Sequence, residues 1–483
     1  MNKKTVLLRS VFLIFITCSP GIDLNAQKLR SSHNQVKNQA GKKLFVAEII
    51  VEGNQKTSEK LILRELKLKE NEYIDSSELN ELLTESKKNL LRQPLFNYVT
   101  IETSQEEVDI IKLKVIVEER WYLWPQVYII NHDRNFNNWI QTMDFSKLDY
   151  RFAIKKYNAF GLNHTITLGL SDGYTKEISL FYQNIYLDKK QLHFIGFGSR
   201  FLYQQSVYYK TFQNKPENYT STDKYAIYSN QFTVIYDYRP KFNFRHSFYL
   251  SYNEVNISDS LFKLNPIYLG SGNKTERYLE TRYQFLLDKR DSRSYPLTGY
   301  FIDFNLIKTG IGSIGNSAIN LFSGSVTMKQ YYNIADKFYG AHSFSVKKSF
   351  AREQPYYFTK GIGYKDFIRG FEYYLIDCED YYLVKNTMKF ELVPKTIKTL
   401  NFIPSTKFNK IHYSFYLTTF FDLCYTMDSR YDVVLENTLS NKILFSGGIG
   451  LDLATYYDKV VRFDFSVNSL GEPGFFLHFK SSI

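Results

Sequence analysis

Two short segments hold the residue types from which a specific charged contact can be built. Asp366-Phe367-Ile368-Arg369-Gly370-Phe371 sets one arginine between apolar neighbours and beside a glycine, and Phe420-Phe421-Asp422 ends in a carboxylate. A guanidinium is a planar fork that a carboxylate can accept through two parallel bonds, and glycine lets a chain turn tightly beside it. This is recognition chemistry rather than bond-breaking chemistry. The 8 His and 3 Cys form no H-E-x-x-H, Walker loop, G-x-S-x-G or metal-spaced cluster. Gly361-Ile362-Gly363 is too short for a nucleotide fingerprint. The chain therefore reads as a non-enzyme that needs no cofactor. The plain alternative for Arg369 is an exposed surface loop.

The elements around these residues alternate. Phe415, Leu417 and Phe421 fall on one face of a strand, with Ser414, Thr418 and Asp422 on the other. Val461, Phe463, Phe465 and Val467 alternate with Arg462, Asp464, Ser466 and Asn468 in the same way. Tyr382, Val384, Met388, Phe390 and Leu392 alternate with Lys385, Thr387, Lys389 and Glu391. Shorter runs do so at Ile166, Leu168 and Leu170, and at Ile302, Phe304 and Leu306. Period 2 with one greasy and one charged face fits strands between lipid and water. A soluble sandwich alternates too, so the pattern needs support from composition.

That support is the ring content. Aromatics make up 17% of 483 residues, with 40 Tyr and 40 Phe, yet mean hydropathy is −0.33. Membrane barrels combine aromatic girdles with a polar interior, so they can be hydrophilic on average. With no apolar stretch long enough for a helical span, a closed barrel is the way to satisfy every backbone group in lipid. The expected fold is a membrane β-barrel of about 16 antiparallel strands over residues 120–483, the strand number lying within the range known for such barrels. In its last strand Phe475, Leu477 and Phe479 should face lipid, with Phe476, His478 and Lys480 toward the lumen.

The N-terminus sets the compartment. Lys3, Lys4 and Arg9 precede the short apolar run Val11–Ile16, and small residues follow to Ala26, as in a secretory signal over 1–26. Losing that leader removes three cations and one anion, so the net charge falls from +12 to +10. The basic balance suits anionic lipid or acidic partners, and export argues against nucleic acid. Cys378 and Cys424 remain, enough for one disulfide and too few for a framework. Residues 27–43 read as a polar linker.

A different pattern occupies 44–119. Phe45–Val51 reads as a strand, Ser58–Leu68 as a short helix, and Asp75-Ser76-Ser77-Glu78 as a capping box. The helix after it sets Leu79, Leu82, Leu83 and Leu90 on one face, with Pro94 as a stop. Val99–Glu102 and Ile110–Val117 read as two further strands. Such a unit is a small α+β domain or a plain spacer. Trp121 and Trp124 at the junction read as interfacial anchors.

The phrases "VEGNQKTSEKLILREL", "LLRQPLFNYVTIE" and "LKVIVEERW" resemble a POTRA domain. The Ile368-Arg369-Gly370-Phe371 loop with Phe420-Phe421-Asp422 resembles the BamA-type outer-membrane assembly superfamily, as do "LLDKRDSRSYPLTGYFIDFNL" and "GGIGLDLATYYDKVVRFDFSV". Cys424 stands where that family's F-x-D-x-G element has glycine, and the chain ends Lys480-Ser481-Ser482-Ile483 rather than on an aromatic residue. The resemblance implies that Arg369 tucks into the barrel and contacts Asp422, with Phe420 on the same inner wall; Asp464, which alternation also turns toward the lumen, is a candidate second partner. It also implies an outer-membrane location with the front domain in the periplasm. The barrel wall would open at its first and last strands, where an unfolded or extended client polypeptide would add a strand. Accessory periplasmic or lipoprotein partners would fit the same reading. Two alternatives are a two-partner-type secretion pore, which usually has two such front units, and a passive porin.

Overall fold

The computed structural model describes residues 43–479, apart from 94, 108, 132–142, 144, 146–147, 189–191, 223–224, 242, 271, 312–318, 352–353, 360, 400–409, 430–435 and 456–458. The expected leader 1–26, most of the linker 27–43, Pro94 and Lys480 lie outside the described residues.

Alternation makes strands, and the distribution of apolar side chains decides which side is covered. In the first unit the covered side is apolar. Its order is β1 (Lys43–Glu52), α1 (Glu59–Glu65), β2 (Glu72–Asp75), α2 (Leu79–Arg92), β3 (Phe96–Glu107) and β4 (Ile110–Glu119). The sheet order is β2-β1-β4-β3, with β1 and β4 parallel and the other pairs antiparallel. Val46, Ile49, Leu113 and Val115 from the sheet pack against Leu61, Ile62 and Leu90 from the two helices. Leu79, Leu82 and Leu83 lie partly buried at the margin of the same core.

The expected capping box does not form. Glu78 is the N-cap residue of α2 and its side chain makes no capping bond. Asp75 instead ends β2, and its Oδ1 accepts from the Ser77 amide at 2.8 Å and the Ser77 hydroxyl at 2.6 Å, an Asx turn. The strand β2 has no counterpart in the sequence reading, because four residues with one aliphatic side chain show no period. The first helix is also shorter than Ser58–Leu68, since Leu66 already has extended backbone.

The second unit is one 16-stranded sheet. Its first part is β5 (Leu123–Asn131), β6 (Leu148–Ala159), β7 (His164–Gly173), β8 (Thr175–Tyr186) and β9 (His193–Gln204). A separate hairpin, β10 (Ser206–Phe212) with β11 (Lys215–Thr220), is inserted next. The sheet resumes with β12 (Ile227–Lys241), β13 (Phe244–Ile257), the short helix α3 (Asp259–Leu264), β14 (Thr275–Asp288), β15 (Gly299–Thr309), β16 (Leu321–Ala335) and β17 (Phe338–Ser349). It ends with β18 (Asp380–Thr399), β19 (Lys410–Met427), β20 (Ile443–Thr455), β21 (Lys459–Asn468) and β22 (Pro473–His478). Each strand pairs antiparallel with its neighbours in chain order, β12 pairing β9 across the hairpin. Among the described residues no ladder joins β5 to β22, which are the two edges of the sheet.

Here the apolar side is outside. Leu168, Ile178, Phe197, Phe232, Phe248 and Phe463 are exposed, while Asp422, Asp452, Asp464 and Arg462 are buried. Water would not tolerate such a continuous apolar surface, and lipid does.

The two units touch through polar groups and through Tyr157 of β6, which packs against the core of the first unit. Within the first unit the Glu119 carboxylate accepts from the amides of Lys56 and Thr57 and from the Thr57 hydroxyl, which sets Thr57 at the junction. Asn158 of β6 donates to Thr57 Oγ1 at 2.8 Å, and Arg239 of β12 pairs with Glu65 of α1 at 3.4 Å. Gly161, with φ +73°, sits so close that a Cβ there would lie 2.2 Å from the Lys56 carbonyl oxygen.

Candidate functional site in the barrel lumen

The segment between β17 and β18 leaves the sheet at its end away from the α+β unit and folds back inside it. Ile368 and Phe371 are its apolar anchors, buried in one cluster with Leu383, Cys424 and Leu444 of the wall. Gly370 lies between them at φ +84°, and a Cβ would meet Ser466 Oγ at 3.2 Å and Ser446 Cβ at 3.3 Å. A larger residue would be strained there and would also push the segment off the wall. Asn468 Nδ2 donates to the Gly370 carbonyl at 2.9 Å, which fixes the turn.

This backbone places Arg369 against β18 and β19. Its Nε donates to Asp422 Oδ2 at 2.9 Å and its own amide reaches the same oxygen at 3.1 Å. Nη2 donates to Asp422 Oδ1, so the pair is bidentate. Nη1 donates to Thr387 Oγ1 at 3.1 Å, Nη2 to the Asn386 carbonyl at 3.3 Å, and the guanidinium carbon lies 3.9 Å from the Phe420 ring centroid. Arg369 is 2% exposed and Asp422 0%. A pair desolvated this far depends on its remaining hydrogen bonds, and here Thr387 and Asn386 supply them. Nothing in the residue pattern singles out Thr387, because it enters only through the register of β18 against β19, where it stands opposite Phe420.

Asp464 is not a bonding partner of Arg369. It lies on the inner face of β21, its carboxylate oxygens make no hydrogen bond among the described residues, and it approaches His478 of β22 at 3.8 Å. Four of the five guanidinium N–H groups of Arg369 go to Asp422, Thr387 and Asn386, all on β18 and β19. His478 also approaches Glu372 of the inserted segment at 3.4 Å and stacks on Phe367 with centroids 5.3 Å apart. In the last strand Phe475 is 77% exposed, Phe476 is buried and Leu477 is partly covered; Phe479, exposed, follows the end of the strand. Cys378 and Cys424 share an apolar cluster as free thiols, so the possible disulfide is not formed. Cys424 fills its inward position where glycine would leave a gap.

A second charged layer lies nearer the α+β unit; alternation puts Arg462 and Lys389 on polar faces, but their partners come only from the fold. Arg462 holds Asp452 through Nε at 2.8 Å and Nη2 at 3.2 Å. The turn between β14 and β15 rises into the lumen to meet them. Tyr295 donates to Asp452 Oδ2 at 2.8 Å, and Lys389 donates to the Pro296 carbonyl at 3.2 Å while sitting 4.1 Å from the Tyr295 ring centroid. A polar turn with Ser, Pro and Gly reads as a surface loop, and only the folded barrel brings Tyr295 to a carboxylate far along the chain. The wall of β18 to β21 is thus packed from both ends. Across the barrel, Arg200 and Arg245 keep 43% of their side chains exposed to the lumen although each is paired, with Glu177 and Asp237.

Residues 44–120 match the POTRA description, surface antigen variable number repeat, and residues 158–467 match the Omp85 superfamily domain. The second match spans well over half of the chain, which therefore belongs to the Omp85 superfamily. No curated protein matches it. Among solved structures it is similar to BamA from Haemophilus ducreyi lacking POTRA domains 1–3, at 13% identity and TM-score 0.52, covering 91% of this chain and 85% of that one. CdiB from Acinetobacter baumannii is similar at 13% identity and TM-score 0.50, covering 91% and 73%. CdiB from Escherichia coli is similar at 8% identity and TM-score 0.50, covering 93% and 92%. At these identities the likeness is one of fold: an outer-membrane β-barrel behind a POTRA-like unit.

Proposed function

We propose that this protein inserts or translocates polypeptides at the outer membrane without ATP, taking clients through a periplasmic α+β domain and a lateral seam in the barrel. The observation that carries this reading is the sheet order, whose ends β5 and β22 share no ladder among the described residues. An unpaired strand edge presents a row of amides and carbonyls, and in lipid those groups must be satisfied. An extended client that adds a strand there satisfies its own backbone and the barrel's together, so hydrogen bonding and burial drive the step. A passive porin has the opposite requirement, a closed ladder and a lumen free of packed segments. The Arg369–Asp422 contact is read as the clamp that holds the inserted segment on the wall next to this seam. The α+β unit of residues 44–119 is read as the client-docking domain, behind a leader at 1–26 and a linker at 27–43.

The test is photo-crosslinking in cells from Val127 on β5, from Phe475 on β22 and from Leu250 on β13. All three are exposed. Newly exported polypeptides should be trapped at Val127 and Phe475 and not at Leu250. Equal capture at all three positions, or none at the two edges, overturns the seam. Capture of one exoprotein alone would favour the secretion pore.

A further inference from the structure

Histidine is unevenly placed on this barrel. The described histidines, His164, His193, His246, His342, His412 and His478, all lie in the part of their strands near the α+β domain. Four face outward and share a hydrogen bond with a tyrosine of an adjacent strand. His164 Nδ1 meets Tyr182 at 3.0 Å, His193 Nδ1 meets Tyr236 at 2.7 Å, His246 Nδ1 meets Tyr283 at 2.9 Å and His342 Nε2 meets Tyr332 at 2.6 Å. The distal rim carries tyrosines such as Tyr203 and Tyr228, with centroids 4.8 Å apart, and none of these histidines.

Two of the four offer no ring nitrogen to the outside. His164 is buried, and the Nδ1 of His342 is bonded to Asn386 Oδ1 at 2.6 Å. His193 and His246 differ. They stand in one cross-strand row, His193 opposite Tyr238, Tyr238 opposite His246 and His246 opposite Phe285. The Tyr238 ring stacks with both imidazoles, centroids 4.9 and 5.9 Å away and planes 20° and 27° apart. An imidazole whose Nδ1 accepts the tyrosine hydroxyl has its N–H on Nε2, and one whose Nδ1 donates leaves Nε2 an acceptor. Neither Nε2 is bonded to another described residue. With the tyrosine hydroxyls donating, two Nε2–H groups lie side by side in the strand ends nearest the α+β domain.

We propose that the His193–Tyr238–His246 face is a headgroup site for one glycerophospholipid of the periplasmic leaflet. The two Nε2–H groups donate to phosphodiester oxygens, and Lys241, exposed at the same end of β12, adds positive charge. Phe197, Val234, Phe248 and Leu250 continue the face away from the domain and line the acyl chains. The site has a structural consequence at β12. The inner side of its proximal end holds Glu65 of the domain through Arg239, and the outer side holds lipid. The wall remote from the seam is thereby fixed while the seam strands move. The assignment of the leaflet rests on the outer-membrane reading above; the binding chemistry does not.

The test uses full-length protein in mild detergent, with phosphatidylglycerol added stepwise and retained lipid counted by native mass spectrometry. His193→Phe/His246→Phe keeps the rings and removes the donors. It should retain at least tenfold less lipid, since losing even one hydrogen bond to a charged group costs about that much. Tyr203→Phe/Tyr228→Phe at the distal rim should retain as much as wild type. Heat-modifiable mobility reports whether each variant forms its barrel. In wild-type protein with isotope-labelled histidine, the Nε2 resonances of His193 and His246 should shift as lipid is added. Equal retention by wild type and the histidine variant, equal loss in the distal variant, or unmoved Nε2 resonances overturns the site. None of these readouts depends on transport, so a failed seam and a failed lipid site are distinguishable.

Discussion

Strands β4 and β21 are both ten residues long and bury every second side chain, yet they bury opposite chemistries. In β4 the covered positions include Ile111, Leu113, Val115 and Val117; in β21 they are Val460, Arg462, Asp464, Ser466 and Asn468. The backbone rule is the same in both, and it fixes only that the faces alternate. What lies outside decides which face turns inward. Water around the α+β unit drives its aliphatic face in, at about 25 cal/mol per Å² of apolar area removed from water. Around the barrel the outside is hydrocarbon, where Phe463 gains nothing by hiding and Arg462 must find partners inside. The buried acids and bases of the lumen are therefore forced there by the solvent, and specificity comes from how they are matched.

The strongest way to break that comparison is to unmatch a luminal pair. Arg369→Ala leaves Asp422 buried without a counter-charge, and Asp422→Ala strands Arg369. Each should cost ~3–5 kcal/mol, whereas an exposed pair would cost ~0–1 kcal/mol. The expected result is loss of heat-modifiable barrel or of client assembly in each single variant, with the double variant less damaged than the sum. Additive effects would mean the two side chains act separately and would remove the clamp from the proposed mechanism.

A smaller effect sharpens the assignment of faces. Phe232 and Gln231 are neighbours on β12, the first 46% exposed on the outer side and the second bonded inside to Asn253 Oδ1 at 2.9 Å. Phe232→Lys sets a charge in lipid, at ~2–4 kcal/mol near mid-depth and ~0–1 kcal/mol near an interface. Gln231→Lys meets a polar lumen and should change little. Folding into vesicles monitored by electrophoretic mobility compares the two. Similar losses for both would shift the register by one residue and exchange the faces of the whole strand.

These contrasts also explain how much could be read beforehand. Alternation and ring content reveal the barrel because every strand repeats them, and the two motif fragments draw attention to Arg369 and Asp422, which the structure brings together. The partners Thr387 and Asn386 depend on strand register, which no single strand encodes. Tyr295 and Asp452 meet across the lumen from distant parts of the chain, so a turn that looks solvent-exposed becomes internal packing. Strand β2 is too short to show a period. Asp464 sits on the inner face that alternation assigns it, but alternation cannot say which cation is within reach.

The smallest expected effect concerns where the water-solvated unit ends and the lipid-solvated one begins. Tyr122 follows β4 and precedes β5, so a boundary at residue 119 leaves it with the barrel. Its ring is nevertheless part of the α+β core. Its hydroxyl shares a hydrogen bond with Thr57 Oγ1 at 2.8 Å and donates to the Leu95 carbonyl at 3.1 Å. Burial pushes the phenol well above its usual range, so it remains a protonated donor at any pH of interest. The fragment 44–119 should still melt cooperatively, because Val46, Leu61, Leu113 and Val115 lie within it. The fragment 44–122 should be more stable, and Tyr122→Phe in that longer fragment should cost about 1 kcal/mol, the usual net worth of a buried hydrogen bond. Thermal melts of the three fragments give the comparison directly. If Tyr122→Phe changes nothing, Thr57 and Leu95 are satisfied otherwise and only the ring ties Tyr122 to the unit. If the shorter fragment is disordered, the boundary falls after Tyr122, and the last residue to obey the water-side rule belongs to the junction itself.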